Sequence, residues 1–66
     1  MVGSTGRVTG TVGEGLVGEV MLHVPARQGS EAFLAHPAFP GERLAVGSRV
    51  VVVEYQPPRT VYVAPA

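Results

Sequence analysis

The sequence predicts an all-β chain in which five short strands close into a small barrel. Three observations lead there. Nine glycines and six prolines punctuate its 66 residues at short intervals. The segments between them alternate apolar and polar residues at period two, as strands with one buried face do. Finally, no segment has the length and apolar spacing of an amphipathic helix.

The strands can be placed in order. The first spans residues 6–12, with Val8 and Val12 on one face and Arg7, Thr9 and Thr11 on the other; Gly10 between the valines allows the curvature a narrow barrel needs. The second is Gly18–Val24, where Val20, Leu22 and Val24 oppose Glu19, Met21 and His23 and Pro25 ends the pairing. Residues 31–36 form the third, with Phe33 and Leu34 on opposite faces, Ala32 or Ala35 able to fill either, and Pro37 as its stop. Residues 38–46, broken by Pro40 and Gly41, read as a loop with at most one helical turn. The fourth strand, residues 49–55, carries four consecutive valines, whose branched side chains disfavour helix and fit a pleated surface. Such a run is either buried on both faces or bulged so that the alternation shifts midway. After Pro57 and Pro58 turn the chain, residues 60–63 or 60–64 form the fifth. The set is read as antiparallel, and closing the sheet hides its edges. Val8, Val20, Leu22, Val50, Val52, Val61 and Val63 should then share the core.

Composition narrows the function. A chain this short makes one domain, residues 1–66, and buries only about 60% of the surface its unfolded form exposes. There is no cysteine, so neither disulfides nor thiolate metal sites can brace it. Five arginines balance five glutamates, leaving a net charge of zero and no whole-domain field for nucleic acid or anionic lipid. Lysine is absent, which excludes a P-loop, a biotinyl or lipoyl carrier and Schiff-base chemistry. No apolar run approaches the roughly 20 residues of a membrane span, and the first six residues do not resemble a signal peptide, so the chain itself is expected to be soluble.

The residues that could carry chemistry are few. Ser4, Ser30 and Ser48 lie beside glycines in expected turns, where a hydroxyl serves the local backbone. His23 and His36 are expected to be half-buried packing residues on strands, and two histidines with scattered glutamates do not form a metal-ligand set. The GxxGxG string of Gly10, Gly13 and Gly15 leads into a strand, whereas a dinucleotide fingerprint leads into a helix. No catalytic, cofactor or metal site is expected, and the chain is not read as an enzyme. Small barrels also bind single-stranded nucleic acid through basic grooves and aromatic platforms, here Phe33, Phe39, Tyr55 and Tyr62 with Arg7 and Arg49. Cancelled charge and scattered arginines count against that alternative, so no nucleic-acid partner is expected.

With the strands in place, the glycine and valine framework resembles the C-terminal soluble domain of the NfeD-like family, a five-stranded OB-fold barrel. The resemblance is carried by Gly6-Arg7-Val8-Thr9-Gly10, Leu16-Val17-Gly18-Glu19-Val20, Gly29-Ser30-Glu31-Ala32-Phe33-Leu34-Ala35, the stretch from Leu44 through Gly47 to Val53, and Val61-Tyr62-Val63-Ala64-Pro65. It departs at Val51, where family members commonly have a polar residue, and at Gly13-Glu14-Gly15, where a proline is common. The resemblance implies a non-catalytic protein-interaction module tethered to a membrane protein, on its cytoplasmic face. It also implies association with stomatin- or flotillin-like scaffold proteins in membrane organisation. Longer relatives carry a serine protease domain, which nothing here resembles. The partner surface is expected on the loops, at residues 13–17 and 39–46, with Leu16, Phe39 and Leu44 as its apolar contacts. In the competing reading, Phe39 and Leu44 plug the open ends of the barrel.

Overall fold

The computed structural model describes residues 1–24, 26 and 29–66. Five strands run in chain order: β1 (Thr5–Gly10), β2 (Gly18–Val24), β3 (Gly29–Pro37), β4 (Arg49–Gln56) and β5 (Thr60–Pro65). They close into a barrel in the order β1-β2-β3-β5-β4, with β1 hydrogen-bonded to β4. The predicted class and strand count therefore hold. The expectation of purely antiparallel pairing does not, because β3 and β5 run parallel, with Leu34 opposite Thr60 and Pro37 opposite Val63. The link from β3 to β5 passes through the whole of β4, which is long enough to bring the chain back in the same direction.

β2 matches its predicted bounds, and its Val20 and Leu22 are buried while Glu19, Met21 and His23 face out. The stop expected at Pro25 lies outside the described residues. β3 extends beyond residues 31–36 at both ends, and Pro37 is its last paired residue rather than a residue beyond it. Phe33 and Ala35 point inward, which leaves Leu34 47% exposed. Residues 38–46 contain turns and no helix.

The valine run resolves as a bulge. Pairing with β5 shifts register between Val52 and Glu54, so Val53 is the extra residue. Val50 and Val52 are buried and Val53 is 45% exposed, after which Tyr55, rather than Glu54, turns toward the core. Without that extra residue the alternation would carry Glu54 inside. A second bulge between Val8 and Gly10 leaves Thr9 outside, where its hydroxyl donates to Glu19 Oε1 at 2.7 Å.

All seven predicted core residues are buried, joined by Val12, Phe33, Ala35 and Leu44. Close approach of the backbone falls at Gly6 and Gly18, not at Gly10. A Cβ on Gly6 would collide with the Met21 carbonyl oxygen, and one on Gly18 would lie 2.7 Å from Ala35 O, whereas Gly10 has ordinary contacts. These two positions draw β1 and β2 tightly against their neighbours, which a narrow barrel requires.

Candidate functional site

One end of the barrel is closed by two loops that hold each other. Val12 N–H donates to Leu44 O at 3.0 Å and Leu44 N–H returns the bond to Val12 O at 2.8 Å, a single antiparallel bridge outside the strands. Both side chains are buried, Leu44 at 6% exposure, so they seal the core. Above them, Gly41 N–H donates to Glu14 Oε1 at 2.8 Å, and Leu16 N–H to Gly13 O at 3.2 Å. Gly13 is buried between Leu16 and Arg43, where an added Cβ would come within 3.2 Å of Leu16 Cδ1.

The sequence-expected partner residues separate here. Phe39 is 56% exposed and Leu16 is also exposed. Leu44 belongs to the core and cannot line a surface patch, because its backbone bridge to Val12 turns its side chain into the barrel mouth. Leu44 is the plug and Phe39 is not. Sequence reasoning did not single out Val17, 84% exposed, or Val46, also exposed on the second loop. Their only signal was apolar identity between glycines, which does not separate an exposed loop residue from a plug. Beside the loops lies an open depression of about 470 Å³ whose lining includes Glu14, His36, Ala38, Pro40, Glu54 and Tyr62. The His36 and Tyr62 rings sit 5.4 Å apart at a 39° tilt.

Both histidines are exposed, contrary to the half-buried packing expected of them, because strand parity turns them outward with Met21 and Leu34. Ser30 is in β3 rather than a turn, directly opposite His23. Among the described residues, no hydrogen bond joins their side chains and no carboxylate orients His23, so the pair lacks the geometry of an activated nucleophile. Nor do any three described His, Asp or Glu residues cluster as metal ligands. Gly10 ends β1, Gly13 and Gly15 lie between β1 and β2, and the string leads into a strand, as expected.

The aromatic residues are mostly occupied with the fold. Phe33 is buried and meets Tyr55 edge-on at 6.4 Å, while the Arg59 guanidinium lies 5.2 Å over the Phe33 ring and pairs with Glu31 at 2.8 Å. Tyr55 OH donates to Pro58 O at 3.0 Å. The outer face of β2 and β3 presents Met21, His23, Ala32, Leu34 and His36, with no Phe or Tyr on which bases could stack.

Among the described residues no helix is long and apolar enough to cross a membrane. No curated protein and no solved structure matched the chain. The sequence profile of the NfeD C-terminal domain, however, matches residues 5–64, a span that takes in all five strands but the last residue of β5 and both sealing loops. The chain therefore belongs to the NfeD C-terminal domain family.

Proposed function

We propose that the chain is a non-catalytic protein-interaction module of an NfeD-like membrane protein, on the cytoplasmic face, and that its partner is a stomatin- or flotillin-like scaffold protein. Family membership and the resemblance support the setting. The observation that carries the interaction reading is the contrast between the two loops' inward and outward residues. Val12 and Leu44 are sealed in the core, yet Leu16, Val17, Phe39 and Val46 remain exposed on backbone held by the Val12–Leu44 bridge and the Gly41–Glu14 bond. Apolar side chains on a pre-ordered surface lose little further conformational entropy on association, so more of their burial appears as affinity. The absence of Phe and Tyr side chains from the outer β2–β3 face favours this reading over single-stranded nucleic acid.

Co-purification of the parent protein with a stomatin-like protein tests the reading, comparing wild type with Val17→Ser/Phe39→Ser. Both positions are exposed, so the variant should stay folded and lose the partner. Retention of the partner by a folded double variant removes the loops from the interface.

A further inference from the structure

Net neutrality conceals a local concentration of positive charge. Arg7 on β1 is directly opposite Arg49 on β4 and, on its other side, directly opposite Met21 on β2. With His23 and Ser30 these side chains line an open groove of about 380 Å³ that no glutamate enters. Ala66, the last residue of the chain, also borders it, its N–H donating to Arg49 O at 3.0 Å and its terminal carboxylate forming no ion pair with either arginine. Each glutamate is placed elsewhere: Glu31 holds Arg59, Glu19 accepts from Thr9, Glu14 from Gly41 and Glu54 from Gln56, while Glu42 follows the turn at Pro40 and Gly41. Arg7 makes one long bond, 3.4 Å to Gly47 O, and among the described residues neither arginine has an ion-pair partner.

Like charges directly opposite on neighbouring strands destabilise a sheet. Here two arginines occupy facing register positions and line the same groove as an imidazole and a hydroxyl. Guanidinium forks match the oxygens of phosphate, and two together supply several donors to one group. We infer that the groove of Arg7, Arg49, His23 and Ser30 is an anion site for a single phosphate group, either a soluble phosphate or the headgroup of an anionic phospholipid. A nucleic-acid strand fits less well. No Phe or Tyr lines the groove, Arg59 is committed to Glu31 and Phe33, and Arg43 stands beside Gly13 on the sealing loops. This site is independent of the loop surface proposed for a protein partner.

The test is an NMR titration of the intact chain with inorganic phosphate at low ionic strength, with vesicle sedimentation in parallel. Phosphate should shift the signals of Arg7, His23, Ser30 and Arg49. Arg7→Gln/Arg49→Gln should weaken binding at least tenfold, whereas Arg43→Gln leaves it unchanged. The double variant should also melt no lower than wild type, since a repulsion has been removed. Sedimentation with phosphatidylglycerol but not phosphatidylcholine vesicles assigns the site to a lipid headgroup, and phosphate binding without sedimentation assigns it to a soluble phosphate. Equal shifts around Arg43, unchanged affinity in the double variant, or a lower melting temperature for it would overturn the site. So would single-stranded DNA binding in the groove tenfold more tightly than phosphate, which would mean that a strand is read there instead.

Discussion

Replacing Leu44 by alanine separates the plug from the surface. Leu44 is 6% exposed and bridges Val12 by two backbone bonds, so truncation leaves the bridge intact and removes only packing. Losing three carbons at about 0.8 kcal/mol each gives about 2.4 kcal/mol. A residual cavity raises such costs toward about 5 kcal/mol, but a site at the barrel mouth can relax, so we expect about 2 to 3 kcal/mol. A chain of 66 residues has a total stability of only about 3 to 10 kcal/mol at typical values per residue. The loss should therefore show in urea titration as a large fall in the midpoint with little change in slope. Phe39→Ser, at a side chain 56% exposed, should move stability by no more than about 0.5 kcal/mol. If Phe39→Ser costs several kcal/mol and Leu44→Ala almost nothing, the two residues have exchanged roles and the assignment of the surface is wrong.

Three further outcomes follow from the packing and the charge. Leu22 is fully buried, so Leu22→Ala should cost about 2 to 5 kcal/mol by denaturant titration, and a cost below that of Leu44→Ala would contradict a core centred on β2. The β4 bulge predicts that Val53→Glu folds while Val52→Glu does not, as read by amide dispersion; the reverse would place the register shift elsewhere. Single-stranded DNA should bind no tighter than about 10⁻⁴ to 10⁻⁶ M, with a log–log salt slope no steeper than about −1.4 for the two phosphates that Arg7 and Arg49 can neutralise. Sub-micromolar binding at physiological salt, lost on Arg7→Glu, would instead support a nucleic-acid function.

How much of this was legible depends on which physical rule each feature obeys. β2 was read to the residue because strict alternation of Val20, Leu22 and Val24 with Glu19, Met21 and His23 admits one register. The valine run announced either double burial or a bulge, and composition could not choose, since both put valine beside valine. Alternation fixes which face a residue occupies but not which strand lies beside it, so the parallel β3–β5 pair was not visible. The same limit hid the neighbouring arginines: Arg7 and Arg49 are far apart in sequence and read as scattered until β1 and β4 closed the barrel. His23 and His36 follow the rule as well, since their strand parity already set them with outward residues, and an apolar setting was inferred from neighbours on the other face. Loop residues obey no period. Leu44 and Phe39 were indistinguishable in sequence because only the backbone bridge to Val12 decides which of them enters the core.

The central claim is that the ordered loops form the partner-binding surface of this NfeD C-terminal domain. Its most direct test is chemical-shift mapping of the labelled domain against the soluble part of a stomatin-like protein. Perturbations should concentrate at residues 13–17 and 38–46, with Leu16, Val17, Phe39 and Val46 most affected and the interior signals of Leu22 and Val63 unmoved. Perturbations confined to the outer face of β2 and β3, or none at concentrations where the parent proteins associate, would contradict it.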